Sequence, residues 1–292
     1  MDYNQEKIAQ FEHCLDAYFE GTSQAQRLIN EAMLYSLKAG GKRIRPLLLI
    51  EMCLAFGGTY EDAIDFAVGI EMIHTYSLIH DDLPCMDDDD LRRGKPTNHV
   101  VYGYDMAVLA GDGLLNKAYE VMLDRVTQKN DSSDAIRAMS EILKASGSQG
   151  MILGQVADIK YQSDDMDVET LDFINHHKTG KLIIAAMKSG AILGGASSEA
   201  IDAVARIADK MGLLFQVVDD LLDLIGSAEK LGKRTQMDIK NDKRTYPMLL
   251  GLENTQLRIK QLEYEILNGI KALPIQSEFL IDTVKFLVNR DY

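Results

Sequence analysis

Two clusters of aspartate residues are the part of this sequence best suited to chemistry. Their members are Asp81, Asp82 and Asp87–Asp90 in the first cluster, and Asp219, Asp220 and Asp223 in the second. Clustered carboxylates repel one another, and their charged forms resist burial. Two such clusters in one chain make sense if they face one another and share cations. Hard cations with oxygen ligands, above all Mg²⁺ carrying a diphosphate, are the natural candidates.

The second cluster follows one face of a predicted helix. Residues 211–225 are apolar almost throughout, and the exceptions are Gln216, Asp219, Asp220 and Asp223. These four fall at i, i+3, i+4 and i+7, so they form one stripe. A solvated helix face is the alternative, but such a face normally mixes lysine, arginine and glutamate. Asp219 and Asp223, one turn apart, can converge on a metal ion.

The first cluster begins where another apolar helix ends. His74, Ser77 and Asp81 fall at i, i+3 and i+7 of that helix. The acidic run Asp87–Asp90 resembles the start of a calcium-binding loop. The pattern fails, however, because Arg92 stands where glycine is needed and no glutamate closes the loop. A generic acidic loop remains the alternative for this run taken alone.

Basic residues stand beside these acids at glycine-containing turns. Residues 40–46 (GGKRIRP) follow a helix stop, and residues 91–97 (LRRGKPT) follow the first acidic run. Arginine matches phosphate oxygens bidentately, and glycine lets the backbone approach a ligand. In a chain of net charge −14 such patches suggest diphosphate clamps, although a solvated charge run is the common interpretation of any one patch. Residues 178–181 and 232–247 supply further cations.

Composition narrows the class of protein. The 292 residues are 46% hydrophobic, which supports a sizeable core in one large domain or two ordinary ones. The charge of −14 argues against nucleic acid and anionic membrane surfaces as partners. Cys14, Cys53 and Cys85 lack metal-ligand spacing and indicate free thiols in a reducing compartment. We expect a cytoplasmic protein, since neither a signal peptide nor an apolar run of about 18 residues is present.

The elements that must position these residues are predicted to be helices. Helical periodicity recurs along the chain, and strand-like alternation is rare, so we expect one all-α domain over residues 1–292. Gly40-Gly41 is a helix stop signal. Thr59 and Asp62 resemble a capping box that opens a helix running to Asp81.

The remaining boundaries follow from periodicity and from breaks in it. A polar loop is expected over residues 84–104, and a mobile glycine- and charge-rich loop over residues 226–244. The predicted helices cover residues 4–20, 24–39, 59–81, 105–127, 133–147, 149–162, 167–193, 198–225, 246–268 and 276–289.

Together these residues resemble the short-chain trans-prenyl diphosphate synthases, and most closely the bacterial farnesyl diphosphate synthases. The resemblance runs from about residue 28 to Arg290, with matching order and spacing. Its motifs are GGKRIRP (40–46), HTYSLIHDDLPCMDDDDLRRGKPTNH (74–99), LAGDGLL (109–115), HKTGKL (177–182), FQVVDDLLD (215–223) and LGKRT…D…KRTYPMLLGLE (231–253). The resemblance implies an all-α fold of the isoprenoid synthase type, with long helices around a central cavity, usually as a homodimer.

The resemblance also implies a role for each motif. About three Mg²⁺ ions would be held by Asp81, Asp82, Asp87, Asp219, Asp220 and Asp223. The allylic diphosphate would be contacted by Arg92, Lys178 and Lys233. Isopentenyl diphosphate would be held by Lys42, Arg45, His74 and Arg93, with Gly41 and Lys243 as further substrate contacts. The developing carbocation would lie beside Thr179 and Gln216. Gln236 replaces the glycine usual in the family's loop near Asp238.

The implied reaction condenses dimethylallyl or geranyl diphosphate with isopentenyl diphosphate, giving farnesyl diphosphate and pyrophosphate. Tyr76 and Ser77 stand five and four residues before Asp81. A helix rises about 1.5 Å per residue, so Tyr76 lies roughly 7.5 Å from the metal cluster along the axis. Its ring would form the floor for the growing chain. Simple packing of Tyr76 between helices is the alternative.

Three other functions share some of these motifs. A geranylgeranyl diphosphate synthase is the nearest alternative. A class I terpene cyclase has a similar fold and first cluster, but it would lack an isopentenyl diphosphate site and usually carries a different second cluster. An inactive partner subunit of a heteromeric synthase typically loses one or both aspartate clusters, whereas this chain keeps both.

Overall fold

The computed structural model describes residues 2–128, 132–161, 166–225 and 244–290. These residues are almost entirely helical, which confirms the all-α prediction. The α-helices are α1 (Asp2–Cys14), α2 (Gln24–Leu37), α3 (Ile44–Ala55), α4 (Tyr60–Asp81), α5 (Asn98–Tyr102), α6 (Tyr104–Gln128), α7 (Ser133–Ser146), α8 (Met151–Lys160), α9 (Val168–Asn175), α10 (Lys181–Leu193), α11 (Ser198–Ile225), α12 (Tyr246–Leu250), α13 (Leu252–Ala272) and α14 (Glu278–Asn289).

Helix α4 begins and ends where its sequence signals predict. The Thr59 hydroxyl accepts a hydrogen bond from the Asp62 main-chain N–H at 3.2 Å, and the Asp62 carboxylate accepts one from the Thr59 N–H at 3.2 Å. This reciprocal cap satisfies two N–H groups that the first turn leaves unpaired. The helix packs against α3 and α6 and brings Asp81 to its C-terminal end.

Helix α3 was not predicted. Residues 40–46 were interpreted only as a basic patch, yet the helix starts at Ile44 and runs to Ala55. Every residue from Pro46 to Cys53 is buried, so the segment has no polar face and no helical period. Arg43 precedes it with φ of 48° and is itself buried, where its guanidinium pairs with Glu71 at 2.7 Å.

The helical segment predicted over residues 167–193 is helical from Val168 to Leu193, but it is not one regular α-helix. Helices α9 and α10 are separated by a π-helical segment, His176–Gly180. Glycines on both sides let neighbouring helices approach this segment closely. A Cβ added at Gly154 of α8 would overlap the Lys178 main-chain nitrogen, and one added at Gly212 of α11 would lie 2.8 Å from the Gly180 Cα. Such π segments occur frequently at functional sites.

Other predicted boundaries also change. The loop predicted over residues 84–104 contains a hairpin of strands β1 (Leu91–Arg92) and β2 (Lys95–Pro96) and then α5. The first predicted helix ends as α1 at Cys14, before a 3-10 turn at Leu15–Tyr18. The predicted helix over 246–268 is divided into α12 and α13. Residues 226–243, most of the predicted mobile loop, lie outside the described residues.

A hydrophobic core connects these helices. It includes buried side chains from Phe11 to Leu287, and α10 packs against α3, α4, α7 and α11. The prediction of one domain over residues 1–292 extends beyond the described ranges and stays a prediction. Among the described helices, none combines the length and apolar character needed to cross a membrane.

Candidate active site

The first acidic cluster forms where α4 ends. The chain turns back after Asp81, and the Asp87 main-chain N–H donates to the Asp81 carbonyl at 2.9 Å. Burial raises the pKa of Asp81 to about 6. Asp87 and Asp82 contribute to this rise, while the Lys178 ammonium opposes it. A buried carboxyl among other carboxylates gains stability from any cation that binds beside it.

Arg92 of strand β1 is anchored inside this cluster. Its Nε donates to Asp82 Oδ1 at 2.6 Å, and its Nη2 lies 3.7 Å from Asp89 Oδ2. Asp82 is only 3% exposed. The pairing therefore keeps a buried carboxylate hydrogen-bonded and places a guanidinium at the acidic turn.

Lys178 and Thr179 reach the site from the π segment between α9 and α10. Lys178 Nζ lies 2.7 Å from Asp158 Oδ2 of α8. Burial alone would lower the pKa of Lys178, but the carboxylates of Asp158, Asp81 and Asp87 raise it. Lys178 is thus charged and lies within electrostatic reach of the first cluster, while Thr179 is buried beside it.

Asp158 is not among the site residues predicted from sequence. It is a single acid on α8 without a motif of its own. Gly154, one turn earlier on α8, was the local signal available, since it permits the close approach to Lys178.

The second acidic cluster lies along α11, as the stripe predicts, and each of its acids has a different environment. Asp219 Oδ1 lies 2.7 Å from Arg290 Nη2. Asp220 Oδ2 accepts a hydrogen bond from the Tyr246 main-chain N–H at 3.0 Å. Asp223 is 5% exposed, and its Oδ1 has no hydrogen-bond partner among the described residues.

Arg290 lies at the site, although from sequence it was named only as the end of the region of resemblance. Its guanidinium lies 4.2 Å from the centroid of the Phe215 ring, and its Nη2 donates to the Phe215 carbonyl at 2.7 Å. Lys42 Nζ lies 6.0 Å from the same ring. Phe215 therefore brings these two cations together near Asp219.

A patch of basic residues lies between the two clusters. Arg45, His74 and Arg93 interact electrostatically with one another, and Arg45 also interacts with Asp219. Burial and these guanidinium groups hold the pKa of His74 well below its usual range, so its imidazole is neutral. Burial lowers the pKa of Arg45 to about 10. Its buried Nε has no hydrogen-bond partner among the described residues, which leaves a donor for an anion.

Gly41 shapes one edge of this patch. Arg93 Nη1 donates to the Gly40 carbonyl, and Gly41 has φ of 122°. A Cβ added at Gly41 would lie 2.5 Å from the Arg93 guanidinium carbon. Only glycine combines this backbone conformation with this close approach.

The side chains fit a hard cation by their chemistry, although they are not gathered around one point. Within residues 2–128, 132–161, 166–225 and 244–290, no three acidic, histidine or cysteine side chains are close enough to hold a metal ion. Asp82 and Asp219 are instead paired with arginines. The oxygen-only donors, the raised pKa of Asp81 and the unpartnered oxygen of Asp223 suit Mg²⁺. Binding would require these carboxylates to exchange partners.

Tyr76 lies below the first cluster at the contact of α4 with α6. It is 7% exposed, and its ring stands edge-on to His80, with centroids 5.8 Å apart. Burial raises the pKa of Tyr76 to about 12, and Tyr119 of α6 contributes to the rise. Ser77 differs, because its hydroxyl donates to the His74 carbonyl of its own helix at 2.8 Å.

Two of the predicted site residues, Lys233 and Lys243, lie outside the described residues. So do Gln236 and Asp238. A cavity of about 310 Å³ lies away from the acidic clusters, between α7, α10 and α11. The acidic and basic side chains locate the candidate site; this cavity does not.

Known proteins are similar to this chain over a region that includes both aspartate clusters. The polyprenyl synthetase family matches residues 26–272. The chain is 43% identical over 281 residues to farnesyl diphosphate synthase of Bacillus subtilis (strain 168), covering 96% of this chain and 95% of that one. It is 51% identical over 266 residues to chloroplastic geranylgeranyl pyrophosphate synthase of Capsicum annuum, covering 90% and 72%. The crystal structure of geranyltransferase from Helicobacter pylori complexed with magnesium and isoprenyl diphosphate has a TM-score of 0.86 and 32% identity, covering 99% and 96%.

Proposed function

The chain belongs to the polyprenyl synthetase family and is a prenyltransferase, and from this premise we propose that it makes farnesyl diphosphate. It condenses dimethylallyl or geranyl diphosphate with isopentenyl diphosphate and releases pyrophosphate. The observation that carries the proposal is the presence of two neighbouring groups of cations with different partners. Arg92 and Lys178 interact with Asp81 of the first cluster, whereas Arg45 and Arg93 lie beside the neutral His74, which Arg92 also reaches.

These two groups suit two diphosphates with different fates. The allylic diphosphate leaves, so it needs cations that stabilise charge as the C–O bond breaks. We assign Arg92, Lys178 and Lys233 to it. Isopentenyl diphosphate keeps its diphosphate, so it needs only to be held. We assign Gly41, Lys42, Arg45, His74 and Arg93 to it, with Lys243 as a further substrate contact.

Both acidic clusters are proposed to hold Mg²⁺, about three ions in all. The ligands are Asp81, Asp82, Asp87, Asp219, Asp220 and Asp223. Bound Mg²⁺ would neutralise charge on the diphosphate that departs. Support comes from the oxygen-only donor set and from the burial that raises the pKa of Asp81 to about 6.

The bond changes balance without a side-chain base. The allylic C–O bond breaks and leaves a carbocation, which the alkene of isopentenyl diphosphate attacks to form the new C–C bond. The proton lost from the adduct goes to the departing pyrophosphate. Thr179 and Gln216 are proposed to turn neutral oxygens toward the cation, where they stabilise positive charge without trapping it.

Product length is proposed to depend on Tyr76, which lies five residues before Asp81 in α4. Its buried ring, edge-on to His80, is proposed to stop a chain that grows down the helix from the acidic cluster. A geranylgeranyl product is the second candidate. The Capsicum annuum relative, which is 51% identical to this chain, is named as a synthase of that product.

Analysis of the product by chromatography tests this proposal. The wild-type protein is incubated with Mg²⁺, labelled isopentenyl diphosphate and geranyl diphosphate. We expect the fifteen-carbon product from the wild type and from Tyr76→Phe, which keeps the ring. Tyr76→Ala should extend the product to twenty carbons or more. An active Tyr76→Ala variant whose product still has fifteen carbons would refute the proposal that Tyr76 limits chain length. A twenty-carbon product from the wild type would favour the geranylgeranyl product.

A homodimer and a cytoplasmic location complete the proposal. Leu109 and Leu123 of α6 are 54% and 50% exposed, and Val101 of α5 is 46% exposed. An apolar surface on adjacent helices suits a second copy of the chain. Light scattering should give twice the mass of one chain for the wild type and a lower mass for Leu109→Glu. A monomeric wild type would contradict the assembly.

A further inference from the structure

Tyr246 belongs to the TYP sequence of the last motif, and no function has yet been assigned to it. It is fully buried in α12, so its hydroxyl must find partners inside the protein. Its main-chain N–H already holds Asp220 of the second cluster. Its side-chain hydroxyl is linked by hydrogen bonds to a separate set of polar residues from three other helices, α9, α11 and α13.

These residues form one continuous chain of hydrogen bonds. Arg258 Nη2 of α13 donates to both Asp172 oxygens, at 2.9 and 2.7 Å. The Tyr246 hydroxyl donates to Asp172 Oδ1 at 2.5 Å. Asn175 Nδ2 donates to the Tyr246 hydroxyl oxygen at 3.4 Å. Gln216 Nε2 of α11 donates to Asn175 Oδ1 at 3.3 Å.

The direction of every bond follows from the end at Asp172. An ionised carboxylate paired with Arg258 can only accept hydrogen bonds. The Tyr246 hydroxyl must therefore donate its single hydrogen bond to Asp172. Its pKa agrees, since burial and the Asp172 carboxylate raise the pKa of Tyr246 far above the usual range and keep the phenol protonated.

The remaining orientations are then forced in turn. The Tyr246 hydroxyl already donates its one hydrogen to Asp172, so toward Asn175 it can only accept. Asn175 must therefore present its NH₂ group. The carbonyl oxygen of Asn175 consequently faces Gln216 and can only accept. Gln216 must present its own NH₂ group, which leaves its carbonyl oxygen outside the chain of hydrogen bonds.

We propose that Tyr246, acting through Asn175, fixes the amide orientation of Gln216 so that its carbonyl oxygen faces the allylic carbocation. The inference rests on the proposed function. Gln216 lies on the same stripe of α11 as Asp219 and Asp223, so it belongs to the face that carries the second cluster. A carbonyl oxygen is the negative end of the amide dipole and stabilises a cation, whereas a flipped NH₂ group opposes it. Tyr246 and Asn175 are positioning residues.

Tyr246→Phe is the appropriate first variant. It removes the hydroxyl, but it keeps the ring and the main-chain N–H that holds Asp220. Without the hydroxyl, Asn175 loses its acceptor, and the amide of Gln216 is free to flip. We expect kcat to fall roughly 10- to 100-fold, the range typical of groups that orient a functional ligand. Both KM values should stay within about twofold, since the diphosphate contacts are unchanged.

A double-mutant cycle separates positioning from general damage. If Tyr246 acts only through Gln216, the double variant Tyr246→Phe/Gln216→Leu should be no slower than Gln216→Leu alone. Asn175→Leu is a second probe, which leaves the Asp172–Arg258 pair intact and should show the same non-additivity. Losses that multiply in both double variants, or an unchanged kcat in Tyr246→Phe, would overturn the inference.

Tyr18→Phe is the matched control. The Tyr18 hydroxyl donates to Asp65 at 2.7 Å, so this variant also removes a tyrosine–aspartate hydrogen bond, but on a different part of the protein. It should lower the melting temperature without lowering kcat. An equal fall in kcat for Tyr18→Phe and Tyr246→Phe would make the effect structural and refute positioning. Wild-type protein in the same assay tests the proposed function separately. If the wild type forms no prenyl product, the proposed function is refuted. If the wild type turns over normally and Tyr246→Phe is unaffected, only the inference about Tyr246 is refuted.

Discussion

At the scale of single residues, cations of the protein itself hold several of the acids. Arg92 pairs with Asp82, and Arg290 pairs with Asp219. The guanidinium of Arg92 opposes the effect of burial on Asp82, but burial still raises the pKa of that carboxyl. The same balance holds at Asp81, where burial outweighs the attraction of Lys178 and raises the pKa to about 6. The charge on Asp81 is therefore a cost to the folded protein without ligand.

This cost predicts a pH dependence of stability. The folded pKa of Asp81, about 6, exceeds the value of about 3.9 for an unfolded chain. Between these values the folded state holds a proton that the unfolded state has lost, so stability falls as pH rises. Asp81→Asn removes this dependence. Without ligand it should melt about 2 °C or more above the wild type at pH 7.5 and level with it at pH 4.

The control for this experiment is Asp134→Asn. Asp134 is exposed and pairs with Arg137 on the surface of α7, so its removal should matter little at either pH. A difference between wild type and Asp81→Asn that stays constant from pH 4 to 7.5 would contradict the assignment.

The two cationic groups predict different kinetic defects. Lys42→Ala should raise KM for isopentenyl diphosphate about 10- to 100-fold, since a hydrogen bond to a charged group contributes about 1.5–3 kcal/mol. Its kcat should change little, because that diphosphate does not leave. Arg92→Lys keeps the charge but loses the two-pronged geometry, so it should lower kcat instead.

Steady-state kinetics with each substrate varied in turn measures both effects. Lys38→Ala is a suitable control, because Lys38 forms an exposed pair with Asp16. A Lys42→Ala defect confined to the allylic KM would reverse the assignment of the two groups.

At the scale of elements, the π segment between α9 and α10 carries Lys178 and Thr179 into the site. Its position depends on Gly154 of α8, where a Cβ would overlap the Lys178 main chain. Gly154→Ala should therefore lower both the melting temperature and kcat, although alanine would otherwise favour the helix by about 1 kcal/mol. Gly147→Ala, where the nearest atom would lie 3.4 Å away, should change neither. Circular dichroism melts and turnover measure the pair, and an unaffected Gly154→Ala would contradict this account.

The same scale explains which elements could be predicted from sequence. Helices α4 and α11 carry local signals, namely a capping box and a polar stripe. Helix α3 is buried on all sides and so shows no period. The π segment depends on glycines in two other helices, which no local pattern records. Asp158, Tyr246 and Arg290 were missed as site residues for a related reason, because their partners lie far away in sequence.

At the scale of the whole molecule, ligands should bring together acids that lie on separate elements. Mg²⁺ with pyrophosphate should raise the melting temperature more than the sum of the two added separately. Ligand at about 100 times its Kd contributes roughly 2.7 kcal/mol. The excess should disappear with a chelator and in Asp219→Asn. Equal shifts for Mg²⁺ alone and for the mixture would argue against a shared diphosphate site.

The unbroken burial of residues 46–53 in α3 also governs how the protein behaves once it unfolds. Unfolding exposes the sequence PLLLIEMC as one hydrophobic segment with a single charge. Such segments associate between unfolded chains before the chains can refold. Heat denaturation should then be irreversible, with aggregates forming and the apparent midpoint rising with scan rate and falling with protein concentration. For the same reason, refolding in the cell should depend on chaperones that cover this segment until α4 and α10 enclose it.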